Sequence, residues 1–319
     1  MSQGILARPE IDVEVVAGRK RIENLFFHQS MAVLAAALIV IAIVSLKFYG
    51  YRLPWSAFEA FYGYLGFGAA IGYCRWAKYD RLVQSCWLAF WSCFLSTLLR
   101  FPMYLAARSH VPLWDQSLAH IDHMMGIEVP AILHSMALHP WVKATLNGSY
   151  DLLYGLLVLA VILPTIRYKF RAAKELIIST SFATLLGSLV FGLCPAVGPW
   201  SVYGYAPTAF QNTCANLLLT LRTGRIHVLD MDESGIVCFP SFHVLLAILA
   251  CVALWSIKPL RIPAVIVALL VSASTLTTGW HYIVDVIGGI LLALISWLVA
   301  KAFTRIESTV DARRQMTAS

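Results

Sequence analysis

Long apolar stretches alternate with short polar segments along the whole chain. Eight of these stretches approach the ~20 residues that a helix needs to cross a bilayer. They cover approximately residues 31–47, 55–74, 83–105, 151–167, 176–194, 241–257, 261–279 and 282–300. Lipid offers no partner for unpaired backbone groups, and the sequence shows no alternating β-barrel pattern. We therefore expect an all-α, polytopic membrane helix bundle with about eight transmembrane helices.

Two longer polar segments, at about 106–150 and 195–240, separate these stretches. In the first segment, apolar residues recur at helical spacing, while glycine and proline residues interrupt the pattern. This pattern predicts one or two amphipathic helices on the outer membrane surface.

The predicted organisation is a single membrane domain with two short extensions. Residues 1–28 are polar and charged, show no evident cleavable signal peptide, and are expected to form a cytoplasmic N-terminal arm. Residues 29–303 form the membrane domain, and residues 304–319 form a cytoplasmic tail.

Composition and charge agree with a membrane protein. Of the 319 residues, 59% are hydrophobic and 13% are charged, which is far from the profile of a soluble domain. An eight-span topology places 17 of the 24 Lys and Arg residues on the side of the two termini. Because cytoplasmic loops carry the excess of Lys and Arg, both termini are predicted to be cytoplasmic. The net charge of +7 is thus mostly a topology signal, and no element indicates nucleic-acid binding.

Two segments beside apolar runs contain the candidate chemistry: Cys238-Phe-Pro-Ser-Phe-His243 and Gly279-Trp-His-Tyr-Ile-Val-Asp285. Ionisable groups at the edge of a span are costly to bury, so they indicate a functional site. The predicted topology takes the chain inward after the first segment and returns it outward at the second. Both histidines should therefore lie at one depth on one face, towards the periplasm, the exterior or an organelle lumen.

Four residues of these segments suit steps of phosphoryl transfer. His281 and Asp285 are four residues apart, so on a helix they share a face. The carboxylate then orients the imidazole of His281, which acts as a nucleophile, while His243 acts as a general acid. Ser241 follows Pro240 at a predicted helix start, where free amides and a hydroxyl can bind an anion.

The groups that bind phosphate are less clear from the sequence. Guanidinium pairs well with phosphate oxygens, and the outer-face candidates are Arg100, Arg108, Arg222 and Arg225. The alternative for each is a role in topology or in contact with lipid headgroups. Tyr150 and Asp151 begin a predicted span on the same face and are candidate pocket-lining residues, with a purely structural role as the alternative.

Three further sets of residues are candidates for metal binding or disulfide formation. The acidic run at 230–233 has the Asp-x-Asp spacing of a metal site, but a solvated loop is the favoured interpretation. His120, Asp122 and His123 are likewise interpreted as exposed polar residues, and no metal is expected. Cys194, Cys214 and Cys238 lie near the outer face, where a disulfide is compatible with an oxidising compartment, and the sequence does not decide their pairing.

The two histidine segments resemble a known family. Pro240-Ser-x-His243 and His281-x-x-x-Asp285 are similar to the second and third signature motifs of the type-2 phosphatidic acid phosphatase superfamily. Within it, His281-Tyr282-Ile-Val-Asp285 is most similar to the branch of inositol phosphorylceramide synthases and sphingomyelin synthases. The turn at 194–200 and the segment at 122–150 also resemble that branch, and the similarity covers roughly residues 115–300.

The resemblance implies a metal-independent mechanism without a cofactor. His281 would be the nucleophile, Asp285 would orient it and His243 would be the acid. A phosphohistidine intermediate would pass its phosphoryl group to water or to an alcohol. The implied substrate is a membrane lipid phosphate or phosphodiester, and a lipid alcohol is the implied partner where the acceptor is not water.

The chain departs from the superfamily pattern at two places. The first motif, a lysine separated by six intervening residues from Arg-Pro, is absent; Arg100-Phe-Pro102 is a faint echo, with Cys93 at the lysine position. The arginine expected six residues before His281 is replaced by Thr275. Other groups must therefore hold the phosphate, and the synthase branch also lacks that arginine.

Two other classes of protein are compatible with the same residues. A transporter or flippase would use membrane-edge histidines for proton coupling. A catalytically silent scaffold would keep the fold without the activity, since fold alone does not establish function.

Overall fold

The computed structural model describes residues 25–53, 56–225 and 235–318. These residues form helices and no β-strand, which confirms the all-α class. Most of the predicted N-terminal arm, residues 1–24, lies outside the described residues, as does the acidic run at 230–233.

Thirteen α-helices follow one another in the described part of the chain, with one 3-10 helix, Lys258–Leu260, between the eleventh and the twelfth. They are α1 Leu25–Tyr49, α2 Ser56–Trp76, α3 Asp80–Leu98, α4 Arg100–Ala107, α5 Asp115–Met124, α6 Val129–Ala137, α7 Pro140–Ile166, α8 Phe170–Leu193, α9 Trp200–Tyr203, α10 Ala209–Arg222, α11 Phe242–Leu254, α12 Arg261–Thr277 and α13 Ile283–Ala318.

Six helical stretches of the described residues are long and apolar enough to cross a membrane. They are Leu25–Tyr49, Asp80–Ala107, Pro140–Ile166, Phe170–Leu193, Lys258–Thr277 and Ile283–Arg314. The fold is therefore a polytopic membrane helix bundle. The count of eight is not confirmed. The predicted spans at 55–74 and 241–257 correspond to α2 and α11, which are not among the six stretches, and α11 has only 13 residues.

Two helices extend beyond the span boundaries that the sequence suggested. The span expected to start at residue 151 belongs to α7, which already begins at Pro140. Proline is favoured in the first turn of a helix, and the mixed polarity of residues 140–150 concealed this start. The expected tail at 304–319 instead continues α13 to Ala318. The sequence contains no glycine or proline after Gly289 to end that helix.

Helix α11 is the centre of the bundle. It packs against α7, α8, α12 and α13. Its buried leucines, Leu245 and Leu249, join Leu153 of α7, Val271 of α12 and Leu292 of α13 in one core cluster. A helix surrounded on this many sides must be apolar all round, as its sequence is. Consequently, His243 near its start lies among several helices.

Two adjacent glycines bring the first histidine segment against the second. A Cβ atom on Gly289 would lie 2.6 Å from the carbonyl oxygen of Ser241. A Cβ atom on Gly288 would lie 3.0 Å from the ring of Phe239. The chain before α11 therefore contacts α13 directly at the turn that follows Asp285, an approach that requires glycine there.

The polar segment after α4 contains two short helices, as the sequence predicted. The buried residues of α5 recur at helical spacing: Asp115, Leu118, Ala119 and Asp122. This helix is thus amphipathic, but two carboxylates belong to its buried face. That α5 and α6 lie on a membrane surface stays a prediction.

Candidate active site

The second histidine segment crosses from the end of α12 to the start of α13. Gly279 has φ +73°, which favours glycine, and its carbonyl oxygen accepts a hydrogen bond from the Tyr205 hydroxyl at 2.7 Å. The backbone N–H of His281 donates to the carbonyl oxygen of Thr275 at 3.3 Å. His281 thus precedes α13 by two residues, and the expectation that it shares a helix face with Asp285 was wrong in this detail.

Asp285 contacts His281 because it lies in the first turn of α13 and reaches back. Its Oδ2 accepts a hydrogen bond from the backbone N–H of Tyr282 at 2.9 Å, as in a helix capping box. The same oxygen lies 3.2 Å from Nδ1 of His281. A carboxylate only accepts hydrogen bonds, so Nδ1 of His281 carries the proton and Nε2 holds the free electron pair. Both side chains are buried.

Cys238 is a third donor to this carboxylate, a contact that the sequence did not predict. Its Sγ lies 3.1 Å from Oδ2 of Asp285 and is buried. Among the described residues, Oδ1 of Asp285 has no hydrogen-bond partner. One oxygen therefore holds three donors, which fixes the orientation of the carboxylate relative to His281.

The atoms Cys238 Sγ, His281 N and Asp285 O lie within 4.8 Å of one another, so their spacing also fits a metal ion. Thiolate, imidazole and carboxylate are ligands that zinc accepts. In the structure, the thiol and the imidazole instead both contact the carboxylate oxygen. A metal-independent mechanism stays a prediction.

His243 is the second residue of α11 and faces the same place. The centres of the His243 and His281 rings are 6.3 Å apart. The ring of Tyr150 stacks on His243 at 4.0 Å, and the Tyr150 hydroxyl lies 3.3 Å from Nδ1 of His243. Nε2 of His243 is buried and has no hydrogen-bond partner among the described residues. The structure thus brings the three predicted catalytic residues together with Tyr150, while their roles remain to be tested.

Ser241 caps α11 and is fully buried. Its Oγ accepts from the backbone N–H of Val244 at 3.5 Å. Its own N–H donates to the carbonyl oxygen of Asp285 at 3.0 Å. Ser241 therefore links the two segments, and its predicted contact with phosphate stays a prediction.

Two carboxylates of α5, Asp115 and Asp122, accept hydrogen bonds from the segment that contains His281. Asp122 accepts hydrogen bonds from the N–H groups of Ile283 and Val284, at 2.8 and 3.0 Å, and so satisfies the free amides at the start of α13. Burial raises the pKa of Asp122, and these two hydrogen bonds act in the opposite direction. The interpretation of Asp122 as an exposed residue was wrong, whereas His120 and His123 are exposed.

Asp115 connects the same helix to two other parts of the site. It accepts from the N–H groups of Val197, at 3.0 Å, and Gly198, at 2.8 Å. It also accepts from the Tyr282 hydroxyl at 3.2 Å. Asp115 and Asp122 are seven residues apart, which places them on one helix face. That spacing within an apolar stripe was the available sequence signal.

We expect Asp122→Ala to destabilise the protein by about 2 kcal/mol, because two partly buried N–H groups lose their acceptor at about 1 kcal/mol each. The measurement is the midpoint of thermal unfolding in detergent. Gln116→Ala, on the exposed face of the same helix, is the control and should leave that midpoint unchanged. Equal midpoints for the two variants would contradict the capping role.

The arginines proposed as phosphate clamps contact other groups. The Arg108 guanidinium lies 4.2 Å from the centre of the Tyr49 ring and donates to the Tyr51 hydroxyl. Arg222 donates to the carbonyl oxygen of Val111 at 2.6 Å. Arg100 is exposed at the start of α4. None of the described contacts joins them to the histidines, so their role in binding phosphate stays a prediction.

Asp151 was proposed together with Tyr150 as a residue that lines the pocket. It is exposed on α7, whereas Tyr150 contacts His243 directly. Successive residues of a helix point about 100° apart, so the two side chains face different surroundings. A role for Asp151 in the site stays a prediction.

A cluster of aromatic side chains lies next to the two histidines. The Trp280 ring lies 6.1 Å from Tyr150, 5.7 Å from Trp200 and 5.6 Å from Phe210. Trp280 immediately precedes His281, so this cluster is built into the motif itself. An apolar cluster of this kind restricts the access of water to the site.

The cysteines form no disulfide. The described residues include all seven cysteines, and none of these is joined in a disulfide, including Cys194, Cys214 and Cys238, which the sequence had suggested for one. Cys238 instead serves as the hydrogen-bond donor to Asp285.

Comparison with known proteins identifies one relationship. A family model described as the PAP2 superfamily matches residues 116–299, which is more than half of the chain. The matched part begins in α5 and ends in α13, so it contains Asp122 of α5 and both histidine segments, and it starts one residue after Asp115. No curated protein and no solved structure gives a significant match.

Proposed function

The chain belongs to the PAP2 superfamily, and on this premise we propose that it is a membrane lipid phosphotransferase or phosphatase. The reaction transfers a phosphoryl group or a phospho-headgroup through a phosphohistidine intermediate at the extracytoplasmic face. The observation that carries this proposal is the buried pair of His281 and Asp285, with its 3.2 Å contact, beside His243.

In the first half of the reaction, Nε2 of His281 attacks the phosphorus atom. Asp285 keeps the proton on Nδ1 and stabilises the positive charge that develops on the ring. The new N–P bond forms while the P–O bond to the leaving group breaks. His243, in its protonated form, gives the proton of Nε2 to the leaving oxygen, and its Nδ1–H remains hydrogen-bonded to Tyr150.

In the second half, the roles of His243 reverse. Its Nε2 now accepts a proton from water or from an alcohol, whose oxygen attacks the phosphorus atom. The N–P bond breaks, and His281 and His243 return to their starting states. The buried, unpartnered Nε2 of His243 gains a partner in each half, because a phosphate oxygen or the acceptor hydroxyl then lies beside it.

The acceptor is proposed to be a lipid alcohol, as in the synthase branch that carries His-Tyr-x-x-Asp. Tyr282 supports this comparison because its hydroxyl donates to Asp115 and its backbone N–H donates to Asp285. This tyrosine thus joins α5 to the catalytic pair. The phosphate-bearing substrate is a membrane lipid whose headgroup reaches the histidines while its chains stay in the bilayer.

The experiment that tests the function incubates the purified full chain with phospholipids and diphosphate lipids, with and without diacylglycerol or ceramide. Products are identified by mass. Free phosphate indicates a phosphatase, and a new headgroup–lipid pair indicates a transferase. A transporter or a silent scaffold yields no new chemical species, and that result would overturn the proposal. Vanadate, which mimics the transition state of phosphoryl transfer, should inhibit the enzyme.

Tyr150→Phe should lower kcat by about tenfold, because His243 loses a hydrogen bond worth about 1–1.5 kcal/mol. The stacked ring remains, so binding of the substrate and thermal stability should change little. Tyr154→Phe, one turn further along α7 and exposed, is the matched control. A kcat for Tyr150→Phe equal to that of the control would argue against a role of the hydroxyl.

A further inference from the structure

A cavity lies at the end of the bundle opposite to the histidines. It has a volume of about 870 Å³ and is bounded by α8, α11, α12 and α13. On α13, its lining extends from Ile290 to Lys301, which is about 16 Å along the helix axis. The cavity begins roughly 10 Å beyond the start of α13, so it is separate from the active site. It is called the α11–α13 groove below.

The mouth of the groove is strongly basic. Four cations and one carboxylate line it: Lys169, Arg171, Arg261, Lys301 and Glu175. Glu175 accepts from Arg171 at 2.9 Å, so that pair is neutral. For the other three cations, the described residues place no carboxylate within salt-bridge distance.

Tryptophan side chains hold two of these cations at the mouth. Nζ of Lys301 lies 4.1 Å from the centre of the Trp297 ring. The Arg261 guanidinium lies 5.4 Å from the Trp255 ring, and its Nε donates to the carbonyl oxygen of Trp255. These contacts fix the cations in place without neutralising them.

One wall of the groove carries an unsatisfied donor. Trp297 lines the groove, and its indole N–H is buried with no hydrogen-bond partner among the described residues. Buried donors are almost always paired in native proteins.

The rest of the groove is apolar and opens towards the surface that faces lipid. Its walls include Ile248 and Val252 of α11, Val265 and Leu269 of α12, and Ile290 of α13. Leu269 and Ile290 are exposed, as expected for residues that face lipid chains. A molecule that fits must therefore have an apolar chain as well as a charged head.

We propose that the α11–α13 groove binds an anionic phospholipid, with its phosphate at Lys301 and Arg261 and an acyl chain along α11 and α12. Charge complementarity selects an anionic head, and the apolar wall selects a lipid over a free anion. The basic residues at the mouth are those that the sequence places on the cytoplasmic side, where anionic lipids are enriched. This site is independent of the catalytic proposal.

The test measures binding of phosphatidylglycerol and of phosphatidylcholine to the full chain in detergent by native mass spectrometry. Phosphatidylglycerol should bind more tightly. The double variant Arg261→Gln/Lys301→Gln should weaken its binding by about 30-fold, because each cation near an anionic lipid contributes about 1 kcal/mol. Lys258→Gln is the matched control, since Lys258 is exposed on the same turn but does not line the groove.

A second variant tests the apolar wall without a change in charge. Ser272→Phe places a ring in the groove and should weaken binding of phosphatidylglycerol while the chain stays folded. Glycerol phosphate, which has the headgroup without the chain, should not compete at the concentration that saturates with lipid. Equal binding of the two phospholipids, or equal behaviour of the double variant and Lys258→Gln, would overturn the proposal. Full competition by glycerol phosphate would overturn the choice of a lipid.

Discussion

Replacing His281 with glutamine is expected to lower the turnover of a lipid phosphate by about 10⁴-fold or more, because the reaction loses its nucleophile. The amide of glutamine can keep a hydrogen bond to Asp285, so the fold around the buried carboxylate should be retained. Turnover is measured by product mass in detergent, alongside thermal unfolding. His120→Gln, on the exposed face of α5, is the matched control and should keep full activity.

The same variant also tests the covalent intermediate. With a substrate labelled in its phosphate, the wild-type chain quenched during turnover should carry an acid-labile, alkali-stable label on His281. The His281→Gln chain should carry none. Full activity in a purified His281→Gln chain would falsify the mechanism, and an unlabelled wild-type chain that is fully active would replace it with direct attack by the acceptor.

Asp285→Asn is expected to lower kcat by about 10⁴-fold while leaving the shape of the site almost unchanged, as for the equivalent change in a hydrolase triad. Oδ2 of Asp285 accepts from His281, Tyr282 and Cys238. An amide nitrogen at that position is itself a donor and would face three other donors. The amide oxygen of the asparagine must therefore occupy the position of Oδ2. Even then, the side chain is neutral and no longer stabilises the positively charged ring of His281.

A graded series separates the charge of Asp285 from its placement. Cys238→Ser keeps a donor to Oδ2 and should change kcat little, whereas Cys238→Ala removes one of three donors and should lower kcat by about tenfold. The effect of Asp285→Asn should appear in kcat and not in KM. A larger effect in KM would indicate that Asp285 acts in binding of the substrate.

The sequence predicted the class of the fold because apolar stretches of span length are a strong signal in a membrane protein. It failed where a helix end is set by packing and not by polarity. Helix α11 is short because the chain before it turns against Gly288 and Gly289 of α13. The early start of α7 at Pro140 and the extension of α13 to Ala318 lie in mixed sequence that a hydropathy pattern does not assign.

The proximity of His243, His281 and Asp285 was predictable because their spacing and their predicted depth agree with each other. His243 and His281 are 38 positions apart in the sequence, and two antiparallel crossings bring them together. Asp115 and Asp122 were not recognised, because their partners lie more than 80 residues away and are mostly backbone N–H groups. The spacing of the two carboxylates within an apolar stripe indicates a buried face of α5, but it does not identify these partners. Arg100, Arg108 and Arg222 were proposed as phosphate clamps from their charge alone. Positive charge beside a membrane span also helps to set its orientation.

The shortness of α11 has a consequence for the choice of acceptor. Thirteen residues extend about 20 Å, which is roughly 10 Å less than the hydrocarbon core of a bilayer. In the proposed topology, with the turn after α11 at the cytoplasmic boundary, His243 would lie below the opposite headgroup plane. At that depth water is scarce, whereas the hydroxyl of a membrane alcohol can dip to the phosphohistidine while its chains stay in lipid. We therefore expect the phosphoryl group to pass to a lipid alcohol more often than to water. The ratio of transfer product to free phosphate measures this preference.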